Sequence, residues 1–264
     1  MSHRMLLTLA DLPEGLLDRV VAALRQAEPA AVGVLVTGSY AGGRATSQSD
    51  LDVTVLTTVP ALGHYRTWFE PRPGLPLHVS AGADSLTDWV EEGHTAADWA
   101  LGLPTEEVAV WAWATDAARA VLGEPPLRRR PPAPPELEDF LECATKAKRA
   151  AAAGDPLGAR WHAHNLGRYA PRLLRPLNPE RRVTGTRDAL RAALEMPVVP
   201  PGYREDLTLC LGLQGAGDEE VATAAARLAT AILAFLRERM PDVDRQPDLP
   251  RYLADGTLER HLEG

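Results

Sequence analysis

The chain has 264 residues, 45% of them hydrophobic and 24% charged, with a formal net charge of −8. That apolar content excludes disorder over the whole length, and no apolar run approaches the ~20 residues of a membrane span. Two cysteines, Cys143 and Cys210, exclude a disulfide framework and a cysteine-rich zinc site. With aromatics at only 5%, Leu, Val and Ala must fill the core. Met5–Ala10 is shorter than the roughly 7–15 apolar residues of a signal-peptide core, so a soluble, cytoplasmic protein is expected. Residues 1–123 hold 15 Asp/Glu and 7 Lys/Arg, whereas residues 128–191 hold 7 Asp/Glu and 14 Lys/Arg. An acidic first part and a basic middle suit one surface for a cation and another for an anion. The acidic balance and sparse aromatics disfavour nucleic-acid binding.

In chain order, Asp11-Leu-Pro-Glu14 predicts a helix start, with Asp11 as N-cap and Glu14 closing a capping box. Leu16, Leu17, Val20, Val21 and Leu24 give that helix one apolar face, ending near Glu28-Pro29. Ala31–Thr37 reads as a buried strand, Gly38–Arg44 as a small-residue turn, and Leu51–Thr57 as a cleanly alternating second strand. Leu75–Ala81 is a third strand candidate. Asp84–Glu92 reads as a helix capped by Asp84, and Glu107–Ala114 as a strand or buried helix. Residues 124–135 carry six prolines, which neither helix nor sheet continues through. They divide the chain into an expected first domain, 1–123, a linker, 124–135, and a second domain, 136–264. Arg128–Arg130 in that linker reads as a solvated charge run. Beyond it the pattern is helical over 136–153, 156–174, 186–194, 203–213 and 218–239, and the proline-containing tail after Met240 reads as an extended wrap.

The chemistry concentrates in Gly38-Ser39 and, eleven residues after Ser39, Asp50-Leu-Asp52. Strand periodicity places Asp50 and Asp52 on one face, about 7 Å apart, with Leu51, Val53 and Val55 on the other. Two carboxylates side by side repel each other unless a cation lies between them. Mg²⁺ suits them, being usually held by one or two carboxylates plus phosphate oxygens. The Gly-Ser turn lets backbone N–H groups approach a phosphate, and Ser39 adds a hydroxyl.

VLVTGSYAGGRATSQSDLDVTVL, residues 34–56, resembles the DNA polymerase β-like nucleotidyltransferase superfamily. Its pattern is Gly-Ser, a spacer, then Asp-h-Asp/Glu between hydrophobics. The likeness sharpens toward kanamycin nucleotidyltransferase and its aminoglycoside-modifying relatives, whose last helices PPGYREDLTLCLGLQGAGDEEVATAAARLATAILAFLRER, residues 200–239, are similar to. The resemblance implies an α+β fold, with a mixed-sheet nucleotidyltransferase domain followed by an all-α helical bundle. It also implies transfer of a nucleoside monophosphate, AMP first, from Mg²⁺-NTP to a hydroxyl of an aminoglycoside-like acceptor, and a homodimer. Asp50 and Asp52 would hold the metal, and Gly38 and Ser39 the phosphates. Glu142 of Glu142-Cys-Ala-Thr-Lys146 matches the family's catalytic base, with Lys146 and Arg149 serving the nucleotide. A four-residue step stacks Glu142 and Lys146 on one helical face, and the same spacing is also the commonest surface ion pair. Asp98-Trp99 matches an acid of the antibiotic pocket. The family's third carboxylate is replaced in Leu77-His78-Val79 by His78, which could alter acceptor choice, take over proton abstraction or weaken the metal site; Glu70 is a substitute acid. Two other readings stand beside this one: a non-catalytic nucleotide-binding protein that keeps the fold, and a transferase with a non-aminoglycoside acceptor.

Overall fold

The computed structural model describes residues 6–59, 65–72, 74–90, 98–125 and 128–240. The tail after Met240 and residues 91–92 of the predicted third-strand-following helix lie outside these. The chain forms two compact units, residues 1–94 with 105–130 and residues 95–104 with 131–264. The first is a mixed sheet with helices and the second is helical, an α+β architecture with a helical C-terminal region.

In the first unit, helix α1 (Leu16–Ala27) buries Leu16, Val20, Val21 and Leu24, the face its periodicity predicts. Its start differs from expectation. Gly15, in a left-handed conformation at φ 67°, is the N-cap. Asp11 instead closes a short turn, accepting hydrogen bonds from the Thr8 N–H and hydroxyl at 2.8 and 2.9 Å. The local side-chain-to-backbone bond at Thr8 outcompetes the capping box read from sequence.

Strands β1 (Ala31–Val36), β2 (Leu51–Thr57), β3 (Tyr65–Glu70) and β4 (Leu77–Ser85) join a later strand, Val110–Ala114, in a five-stranded sheet. Between β1 and β2 lies a one-turn helix, α2 (Gly38–Ala41). After β4 come helix α3 (Leu86–Val90) and strand β5 (Thr105–Glu107), so the later strand is β6, and helix α4 (Asp116–Leu122) follows it. Sheet order is β3-β4-β2-β1-β6, with β2 and β4 parallel and the other pairs antiparallel. Leu51, Val53 and Val55 of β2 pack with Leu77 and Val79 of β4 against the α1 face. On the opposite face, Leu35, Leu56, Trp89 and Ala109 form a second, smaller cluster. The N-cap of α3 is Ser85, whose hydroxyl accepts from the Asp88 N–H at 2.9 Å. Asp84, the expected cap, is the last-but-one residue of β4.

The proline-rich segment is not free of structure. Arg128–Arg130 forms strand β7, paired antiparallel with β5. Period two turns Arg128 inward and Arg129 outward. The Arg128 side chain is 9% exposed, 3.4 Å from Asp84, and its guanidinium lies 4.3 Å from the Trp89 ring centroid. Arg129 pairs with Glu106 at 3.5 Å and is half-exposed. The solvated run expected here is thus a ribbon with one buried cation.

The helical unit contains α5 (Leu137–Ala152), α6 (Pro156–Leu174), α7 (Thr186–Leu194), α8 (Tyr203–Cys210) and α9 (Asp218–Arg239). Phe140, Leu166, Leu174, Leu207, Leu228 and Ile232 are central to its core. Ala144, Ala147, Ala163 and Ala225, all fully buried, let the helices approach closely. Residues 98–104, read from sequence as part of the first domain, are built into this unit. Ala100, Leu101 and Leu103 enter its core, the Gly102 carbonyl accepts from the Ala133 N–H at 3.0 Å, and the Pro104 carbonyl accepts from Val183 at 2.8 Å. Gly102 sits at φ 70°, where a Cβ would fall 2.2 Å from Arg172 Cγ, so only glycine fits. Among the described residues no helix is long and apolar enough to cross a membrane.

Candidate active site

The site of the first unit is built from a turn and three strands. β1 ends at Val36, and the Thr37 N–H donates to the Asp52 carbonyl at 2.9 Å, which fastens the turn to β2. Gly38 follows at φ 66°, and a Cβ there would lie 2.1 Å from Asp52 Oδ2. The absence of a side chain therefore leaves room for the Asp52 carboxylate against the turn, which is the close approach that glycine permits. The Ser39 Oγ is buried and has no hydrogen-bond partner. A buried hydroxyl left unmade costs free energy unless something completes it.

On β2 the burial alternates as the sequence predicts, with Leu51 and Val53 buried and Asp52 partly exposed. In the parallel pairing of β2 with β4, Asp52 lies beside Ser80. One step back, His78 Nδ1 is 4.0 Å from Asp50 Oδ2. His78 thus does occupy a strand position adjacent to the aspartates, on their face. Burial, then Asp50, then Glu107 push the Asp52 carboxyl up to about 6, against a smaller opposing effect of His78. Glu107, opposite Arg128 in the β5–β7 ribbon, is a contributor that sequence reasoning missed.

Glu70 does not join this group. Strand parity turns it with Trp68 to the α1 face, where it accepts from Trp68 Nε1 at 2.9 Å and lies 3.7 Å from Arg19 Nη2. As a substitute acid beside Asp50 it is therefore corrected: it faces away.

The remaining candidates belong to the helical unit. Glu142 Oε1 and Lys146 Nζ are 2.7 Å apart on α5, each about half-exposed. The hydrogen bond that Lys146 donates to Glu142 holds the Lys146 ammonium above its ordinary pKa. Arg149 continues that helix one turn on. Asp98 opens a short 3₁₀ turn, Asp98–Ala100, and its side chain lies outside the described residues. The structure thus brings Gly38, Ser39, Asp50, Asp52 and His78 together in one unit, and Glu142, Lys146 and Arg149 together in the other.

Among the described residues no group of three or more His, Cys, Asp or Glu is placed to hold a metal ion. Two carboxylates nevertheless match the protein share of a Mg²⁺ site completed by phosphate oxygens. The unpartnered Ser39 hydroxyl supplies a donor, and the bare Gly38 turn lets Asp52 Oδ2 lie against the backbone.

Comparison with known proteins places this geometry. Residues 17–74 match the nucleotidyltransferase domain, and residues 136–238 match the nucleotidyltransferase substrate-binding domain of the Ant-IIb type. The two matches, following each other in chain order, support a polymerase β-like nucleotidyltransferase. The chain is accordingly a transferase of phosphorus-containing groups. A crystal structure described as a nucleotidyltransferase-like protein from Exiguobacterium sibiricum 255-15 is similar at 14% identity, with TM-score 0.34, over 88% of this chain and 78% of that one. No curated protein matches the chain significantly.

Proposed function

We propose that the protein moves a nucleoside monophosphate, AMP first, from Mg²⁺-NTP to a hydroxyl of an aminoglycoside-like small acceptor and releases pyrophosphate. The observation that carries this reading is the buried, unpartnered Ser39 hydroxyl, next in the chain to the Gly38 that lies against Asp52. Asp50 and Asp52 are the residues that would hold Mg²⁺, which supplies charge neutralisation on the phosphate oxygens. Ser39 donates to a phosphate oxygen, and the Gly38 turn keeps side chains out of the way. Glu142 takes the proton of the acceptor hydroxyl, a role worth ~10²–10⁴-fold, and Lys146 with Arg149 balances phosphate charge. The assignment of Glu142, Lys146 and Arg149 rests on the resemblance of α5 to the family's base-bearing helix, as do the homodimer and Asp98 in the acceptor pocket. A cytoplasmic location rests on composition.

The test is transfer of label from α-labelled ATP, with Mg²⁺, to a panel of aminoglycosides. Asp52→Asn keeps the side chain's shape and removes charge, so turnover should fall at least ~10²-fold while circular dichroism stays unchanged. Activity surviving Asp52→Asn would remove this site from the reaction. His78 beside Asp50 favours a second reading, a nucleotide-binding protein without turnover. It predicts Mg²⁺-dependent binding of ATP to the wild type and no label on any acceptor.

A further inference from the structure

The face that carries the aspartates continues across two more strands, and its outer edge is aromatic. Register places Phe69 of β3 opposite His78 of β4, and Thr67 opposite Ser80. Since Ser80 is beside Asp52, the face reads in rows: Phe69, His78, Asp50, then Thr67, Ser80, Asp52. The Phe69 and His78 rings are 5.2 Å apart between centroids and tilted by 41°. Tyr65, on the same face of β3, hydrogen-bonds Ser80 through its hydroxyl. Phe69 is 67% exposed and Tyr65 66%, two large aromatic side chains on one edge strand. Folding alone does not call for that arrangement.

Their direction from the metal-holding pair decides what they serve. The Gly38–Ser39 turn follows β1, on one side of β2, and β4 and β3 lie on the other. In-line displacement at phosphorus puts the attacking oxygen opposite the leaving group. If the pyrophosphate leaves toward Ser39, the acceptor hydroxyl arrives from the His78 and Phe69 side. At about 4.8 Å per strand, Phe69 is two strands, roughly 10 Å, from Asp50. We infer that Phe69 and Tyr65 form a shelf for the acceptor's ring, and that this ring carries ammonium groups. This inference rests on the nucleotidyl-transfer reading and adds a subsite to it. The aromatic faces attract a ligand cation that approaches them, and the −8 balance of residues 1–123 favours the same sign. His78 backs Phe69 and sits between shelf and carboxylates, so it limits how deep the ring travels.

Fluorine NMR of protein labelled with 4-fluorophenylalanine tests this directly. The chain has three phenylalanines, and Phe69→Leu assigns the resonance of interest. The probes are Mg²⁺ with a non-hydrolysable ATP analogue, followed by kanamycin. The nucleotide analogue should bind and leave the Phe69 signal in place, and kanamycin should then shift it. In calorimetry Phe69→Leu should weaken kanamycin at least tenfold and the analogue less than twofold, with Phe69→Trp restoring kanamycin. A Phe69 signal moved by the nucleotide would make the shelf a base-stacking site and overturn the inference. So would kanamycin that binds or is modified without moving Phe69, or kanamycin that fails to bind beside a bound analogue. Failure of the analogue itself to bind is a different result: it would remove the nucleotidyl-transfer reading beneath the shelf.

Discussion

Asp52 holds a carboxylate that burial, Asp50 and Glu107 all penalise, and the folded protein carries that penalty whenever the group is ionised. Its folded-state pKa, about 6, lies above the unfolded value of 3.8, so the folded state binds the proton more tightly. Below pH 4 the group is neutral in both states; stability is then lost as pH rises toward and through 6. At roughly 1.4 kcal/mol per pH unit the loss is at most about 3 kcal/mol. Asp52→Asn should therefore melt several degrees higher than wild type at pH 8 in chelator, and at nearly the same temperature at pH 4. A variant that melts no higher at pH 8 would mean that Asp52 is not under this repulsion. The aspartates were legible because a period of two is written into Leu51-Asp-Val-Thr-Val. Ser39 was legible as a hydroxyl in a turn, but its lack of a partner depends on packing that no local pattern reports. Glu107 was not legible at all. It reaches Asp52 from 55 residues further along the chain, on a strand of three residues with no periodicity to read.

At the level of elements, β7 shows where composition misleads. Proline on both sides of Arg128–Arg130 argues against a central strand but is compatible with a short ribbon at an edge. Its alternation makes a sharp prediction. Arg128→Ala strips a buried cation from Asp84 and Trp89 and should cost about 1–3 kcal/mol in urea unfolding. Arg129→Ala, one residue on, should cost under about 1 kcal/mol. Equal effects would contradict the ribbon. β3 escaped the sequence reading for a related reason: Tyr65-Arg-Thr-Trp-Phe-Glu has polar and aromatic residues on both faces because one face packs on α1 and the other is left open. The helices were more legible, since 156–174, 186–194 and 218–239 each follow one apolar face into the same core. On α5, Glu142 and Lys146 are chemically ambiguous, a half-exposed ion pair by geometry. As a surface pair alone, Glu142→Gln would cost ~0.2–0.5 kcal/mol and no activity. If Glu142 is the base, the same change lowers turnover ~10²-fold or more and leaves Mg²⁺-nucleotide binding intact. If His78 has that task, His78→Ala is the crippling variant instead. Steady-state rates of the two variants, side by side, separate these outcomes.

For the molecule as a whole, the chain passes between its two units three times, at residues 94–95, 104–105 and 130–131. Proline density marked only the last of these. Residues 98–104 are short and apolar, and their membership is fixed by long-range partners: Ala133, Val183 and Arg172. Counted by unit, both parts are acidic, with 15 Asp/Glu against 10 Lys/Arg in the sheet unit and 21 against 18 in the helical unit, so the basic stretch read from sequence does not follow the unit boundary, and Arg128–Arg130 fall in the sheet unit. In the proposed transfer the bond broken is at the α-phosphorus of the nucleotide. Incubating the wild-type protein with Mg²⁺, an acceptor and ATP labelled either at the α- or the γ-phosphate tests it most directly. Nucleotidyl transfer puts the α-label on the acceptor and releases the γ-label as pyrophosphate, and both are lost in Asp52→Asn. Label from the γ-phosphate on the acceptor would contradict it.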